Sequence, residues 1–116
     1  MFIRTFPDEI DLLAFFEGEP TFQDTKDLHF AYQYTDQNEM SILFSFSATG
    51  GWIQTITEYK QQRIAHNLME GVEYFKIEKD VEGEYITTEV ELEDTITKVV
   101  IRLQPFISTK FSTLIR

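Results

Sequence analysis

Over residues 26–48 apolar and polar side chains alternate with period two, interrupted once. Leu28, Phe30, Tyr32 and Tyr34 share one face, and His29, Gln33 and Thr35 share the other. After Asp36-Gln37-Asn38-Glu39, the residues Met40, Ile42, Phe44, Phe46 and Ala48 resume the apolar face, with Ser41, Ser45 and Ser47 opposite. Two such runs around a polar turn predict a β-hairpin with one side in a core and the other meeting solvent or a polar contact. Upstream, residues 1–6 read as a short strand and 7–18 as a helix. Asp8 is a good N-cap, Glu9 and Asp11 suit the positive end of the helix dipole, and Gly18 followed by Pro20 stops the helix. Ile10, Leu13, Ala14 and Phe16 or Glu17 fall at helical spacing and are expected to face the core.

Thr49-Gly50-Gly51 breaks the alternation. Beyond it, Thr55-Ile56-Thr57-Glu58 has the spacing of a capping box, and Ile64, Ala65, Leu68 and Met69 recur at helical spacing before Gly71. A second helix is expected over about 56–70. Ile53, Thr55, Thr57 and Tyr59 are also good strand formers, so 52–59 stays open between strand and helix start. From residue 72 the pattern is purely β. Strands are expected over 72–79, 85–93, 95–104 and 106–115, with a turn at 81–84 and Pro105 ending the third. The fold class that follows is α+β: an antiparallel sheet of about six strands with two helices packed on one face, in a single domain spanning 1–116.

Composition narrows the chemistry. The chain has 116 residues and no cysteine, which excludes a disulfide scaffold, a cysteine zinc site and a thiol nucleophile. Its 11 Phe, 5 Tyr and 1 Trp are read first as filling for a small core, since rings bury much area per residue. The first residues lack a basic stretch followed by an apolar one, and no apolar run reaches the ~18 residues of a membrane span. A soluble, cytoplasmic protein is expected. The net charge of −10 disfavours phosphate backbones and anionic membranes and favours a basic partner. No basic patch with interleaved aromatics is present, so direct nucleic-acid binding is not expected.

The layout of the charge says more than its sum. Residues 70–94 hold 10 acids against Lys76 and Lys79, whereas 95–116 hold Lys98, Arg102, Lys110 and Arg116 and no acid. Within 85–93, Ile86, Thr88, Val90 and Leu92 point one way and Thr87, Glu89, Glu91 and Glu93 the other, so the acids form a stripe on one sheet face. A two-residue turn at Asp94-Thr95 would set Glu91 opposite Lys98 and Glu89 opposite Val100. The basic last strand would then quench Glu91 and leave the turn at 80–84 as the better-exposed anion. The candidate partner-binding residues are therefore Glu78, Asp80, Glu82, Glu84, Glu89, Glu91 and Glu93. Trp52 joins them as a candidate interface anchor.

Catalytic chemistry finds little footing. His29 and His66 are the only histidines and have no paired metal-ligand spacing; Gly50-Gly51 lacks the Lys-Ser/Thr of a phosphate-binding loop. The carboxylates do not follow the spacing of a calcium-binding EF-hand loop. No enzyme activity, cofactor or metal is expected.

Several features together resemble the small immunity proteins of bacterial polymorphic-toxin and contact-dependent inhibition systems. They are Phe15-Phe16-Glu17-Gly18-Glu19-Pro20 at the helix exit, the alternating strands of 28–34 and 40–48, Trp52 after a short break, and a β-rich acidic second half. The likeness runs over residues 10–100 as a pattern of element types. It implies a cytoplasmic antidote that binds a cognate toxin, often a basic nuclease, and blocks its active site or substrate path. Two other readings stand beside it. One is a small-ligand binder or enzyme whose aromatic-lined pocket holds a polar residue such as His29 or Tyr32. The other is a nucleic-acid mimic whose carboxylates follow the phosphate repeat.

Overall fold

A computed structural model describes residues 2–116. The hairpin of residues 28–48 forms as its alternation predicts. β2 (His29–Thr35) and β3 (Met40–Ser47) pair antiparallel, with Phe30 opposite Phe46, Tyr32 opposite Phe44 and Tyr34 opposite Ile42 on the inward face. Asp36 closes the turn, its Oδ1 accepting from the backbone N–H of Asn38 at 2.8 Å and of Met40 at 3.1 Å. A short β1 (Phe22–Asp24), not anticipated from the pattern, pairs with the outer edge of β2.

The expected second helix is absent. Residues 52–70 form another hairpin, β4 (Trp52–Tyr59) and β5 (Gln62–Glu70). Its two-residue turn puts Lys60 and Gln61 both in the left-handed region, at φ 50° and 69°, the geometry that joins twisted strands tightly. The carbonyl of Glu39 in the neighbouring turn accepts from Lys60 N–H at 3.1 Å. Period two therefore governs: Ile53, Thr55 and Thr57 are buried, whereas Ile64 and Leu68 are each 55% exposed. The helical spacing of Ile64, Ala65, Leu68 and Met69 was a coincidence of two sheet faces and a bulge, where the register steps from Thr57–Ala65 to Glu58–Arg63.

The one helix among the described residues is α1 (Glu9–Phe16), capped as expected by Asp8, whose carboxylate accepts from Asp11 N–H at 2.9 Å. Its buried face is the expected one only at Phe16. Leu12, Phe15 and Phe16 are buried, while Ile10 is 77% and Leu13 42% exposed. The helix is apolar on most sides, and ring packing chooses the face: Phe16 stacks on Tyr32 at 4.9 Å and on Phe44 at 5.6 Å.

Strands β6 (Lys76–Asp80), β7 (Gly83–Glu91), β8 (Thr95–Arg102) and β9 (Ser108–Ile115) make a second antiparallel sheet in chain order, and β1 to β5 make the first. The expectation of one six-stranded sheet with two helices is thus replaced by two sheets, of five and four strands, and a single short helix. The break between them is the segment before β6, which is tied to the start of the chain instead of to a strand. Arg4 N–H donates to Glu73 O at 2.8 Å and Phe75 N–H to Thr5 O at 3.1 Å, while Ile3 N–H reaches Ala48 O at 2.7 Å. Residues 2–6 are accordingly extended but form only a single bridge, Thr5 with Tyr74; Met1, also assigned to that expected strand, lies outside the described residues. Both sheets and α1 contribute to one hydrophobic core, in which Phe75 lies 4.9 Å from Phe46 and 5.6 Å from Phe44. Most of the aromatic excess is spent there, as read from the composition. No helix among the described residues is long and apolar enough to cross a membrane.

Candidate functional site

The acids singled out from the sequence fall on the four-stranded sheet, and the structure pairs most of them with nearby bases. The β6–β7 turn is Val81-Glu82, closed by Asp80 opposite Gly83. Arg102 reaches it from β8. Its Nη1 donates to Asp80 Oδ1 at 3.1 Å, its Nη2 donates to Oδ2, and its Nε lies 3.9 Å from Glu82 Oε2. The guanidinium sits 4.6 Å above the Tyr85 ring, a cation–π contact that helps hold it in place. The hydrogen bond from Arg102 keeps the Asp80 carboxyl below the usual carboxylate range, and Asp80 in turn raises Arg102. The turn expected to be the most available anion is therefore partly neutralised.

The stripe is shifted too. Leu92 N–H donates to Thr95 O at 2.9 Å, so the β7–β8 turn is Glu93-Asp94 rather than Asp94-Thr95. The register moves by two residues: Glu89 faces Lys98, and Glu91 faces Ile96. Glu91 is compensated from elsewhere, its Oε2 lying 3.6 Å from Arg116 Nη1. Glu93 stands in the turn, where its carbonyl accepts from Arg116 Nε at 3.3 Å. Glu78 pairs with Lys76 at 3.0 Å and raises that lysine. Glu84 sits opposite Lys79 and lines an open groove of about 290 Å³ between β6–β7 and α1, with Ala14, Glu17 and Gln104.

Sequence reasoning missed one participant. Glu73, on the segment before β6, joins Glu89 and Glu91 around an open groove of about 330 Å³, with Tyr74, Leu92 and Gly71. It belonged to the acidic block but to no alternating run, so no pattern assigned it a face. Of these, Glu91 is held by Arg116 and the Tyr74 ring is covered by Lys76 at 5.9 Å, so Glu73 and Glu89, with no ion pair among the described residues, are the carboxylates that suit a further cationic side chain.

Trp52 lies apart from this group, on the outward face of the five-stranded sheet. It is partly exposed and meets the His29 ring edge-on at 5.0 Å, and His29 meets Phe22 at 4.8 Å. Rows across this face run Phe22–Ala31–Ser45–Gln54–Leu68 and Gln33–Leu43–Ile56–His66. The strand alternation sends Tyr32 to the opposite, buried side, so His29 and Tyr32 do not converge on one pocket. Burial pushes the Tyr32 phenol up, with Glu9 and Glu19 adding to the shift.

No family model and no curated protein matches the chain. Among solved structures it is similar to a chain of a "Contact-dependent growth inhibition toxin - immunity protein complex from Klebsiella pneumoniae 342". The likeness has a TM-score of 0.95 and 38% sequence identity, covering 98% of this chain and 100% of that one.

Proposed function

The chain belongs to the immunity proteins of contact-dependent growth inhibition systems, and from that premise we propose that it binds and blocks a cognate toxin domain, meeting a basic surface of that toxin with its acidic second half. The observation that carries the reading is the 38% identity sustained over 98% of the chain at a TM-score of 0.95. The charge supports its finer part. A net −10, with Glu73, Glu89 and Glu91 around one groove, attracts a cationic surface, speeds encounter and rejects acidic partners. A nuclease, whose substrate path must be basic to hold phosphates, is the toxin class such a surface fits best. On this reading the protein acts in the cytoplasm as an inhibitor rather than an enzyme. It needs no cofactor and contacts no nucleic acid itself.

Co-expression with the toxin domain, followed by pull-down at low and high salt, tests both levels. The expected result is a stable complex whose affinity falls as salt rises. It should fall again when Glu89, Glu91 and Glu93 are reversed to lysine. A complex whose affinity ignores both salt and charge reversal would leave the immunity role standing and demote the acids to a solubilising face.

A further inference from the structure

We propose that the outward face of the five-stranded sheet, with Trp52 at one end as its anchor, is the charge-poor centre of the surface that receives the toxin domain, with the acidic groove as its margin. The proposal rests on the immunity reading and adds the place where the toxin docks. Composition is the first argument. Charged residues make up 26% of the chain, yet Glu58 is the only formal charge among the outward positions of the three inner strands β2, β3 and β4; the edge strands add Asp24, Arg63 and Glu70. Leu43 and Ile56 stand side by side in register on that face, and Leu68 in the next row is 55% exposed. The other outward positions of these strands are mostly uncharged polar side chains, among them Gln33, Ser41, Ser45 and Gln54. Depletion of charge around aromatic and aliphatic side chains is the make-up of an interface centre.

The seat of Trp52 is the second argument. A Cβ on Gly50 would fall 2.7 Å from both Cδ1 and Nε1 of the indole, so the ring occupies space that only glycine leaves open. The His29 ring also meets it, edge-on at 5.0 Å. The turn beneath is anchored in turn: Ser47 Oγ accepts from Gly50 N–H at 3.0 Å, and Thr49 Oγ1 donates to Asp27 O at 2.8 Å. A partly exposed tryptophan already held in one orientation loses little freedom when a partner covers it. Tryptophan is also among the residues that most often dominate interface energies.

Charge and continuity commit the occupant to the toxin. Trp52 lies opposite Glu70, and the next residue, Gly71, lines the groove of Glu73, Glu89 and Glu91. A charge-poor centre with Trp52, Leu43, Ile56 and Leu68, running into an acidic margin, fits a protein surface with an uncharged patch flanked by lysines and arginines. A second copy of this acidic chain would bring like charges together at that margin.

The test titrates the full chain against its toxin domain, using the wild type, Trp52→Ala, Leu68→Glu and Gly50→Ala, with thermal melting to establish that each variant is folded. Trp52→Ala and Leu68→Glu are expected to weaken binding roughly 10- to 100-fold. Trp52→Ala should leave the salt dependence of binding unchanged, because the marginal acids remain and no charge is added. Gly50→Ala, which keeps the indole but displaces it, should weaken binding by less. If Trp52→Ala fails to fold, Leu68→Glu on the exposed edge strand carries the test. Wild-type affinity in the folded variants would overturn the proposal while leaving the immunity reading intact. A wild-type chain that binds no toxin overturns that reading and this proposal together. A wild-type dimer in sedimentation that Leu68→Glu dissolves would overturn the proposal by assigning the face to a second copy.

Discussion

Arg102 holds Asp80 through both carboxylate oxygens across the width of β7, joining the last β8 residue to the end of β6. Because the hydrogen bond from Arg102 lowers the Asp80 carboxyl, the pair stabilises the fold fully above the unfolded-state value of about 3.9. That contribution is lost as pH falls through the lower folded-state value. Urea midpoints measured from pH 7 down to pH 2.5 should therefore fall more steeply for the wild type than for Asp80→Asn at the acid end. The two proteins should differ most above pH 4.

The buried face of α1 is open to a paired comparison. Phe16 is 2% exposed and stacked between Tyr32 and Phe44, so Phe16→Ala should cost about 3–5 kcal/mol in chemical denaturation. Ile10→Ala removes a side chain that is 77% exposed and should stay within about 0.5 kcal/mol. Equal costs would mean that the helix packs on the other face.

Lys60 and Gln61 occupy left-handed positions at φ 50° and 69° without being the residue types that tolerate them best. The double substitution Lys60→Asn with Gln61→Gly should raise stability by about 1 kcal/mol, because a two-residue turn of this hand prefers an asparagine followed by a glycine. A shift of the urea midpoint with an unchanged slope would check it.

Asp36 links the sheets as well as closing its own turn. Besides Asn38 and Met40, it accepts from Ile107 N–H at 3.1 Å, on the segment between β8 and β9. Asp36→Ala leaves three backbone donors without that partner and should cost about 1–3 kcal/mol in equilibrium unfolding.

The parts of the fold legible in the sequence are those where local pattern and tertiary demand agree. The hairpin of β2 and β3 was one, because an unbroken alternation and a turn-forming Asp36 point the same way. The N-cap at Asp8 was another. The β4–β5 hairpin was hidden because its turn carries neither glycine nor asparagine, and its bulge makes Ile64 to Met69 mimic a helix. The division into two sheets had no local signal at all. It follows from hydrogen bonds between residues 4–5 and 73–75, which lie far apart along the chain.

The same boundary runs through the candidate site. The acidity of the second half, the shared sheet face of Glu89 and Glu91, and the place of Trp52 after a glycine break could all be read along the chain, because charge and side-chain alternation are local properties. Which acids gain a basic neighbour and which residues meet around a groove depend on contacts between strands distant along the chain. A one-residue shift of one turn moved the register by two and changed the partners of Glu89 and Glu91. A side chain 22 positions away neutralised Asp80. The groove that gathers Glu73 with the stripe, and the room above Gly50 that seats Trp52, exist only once distant strands are packed together.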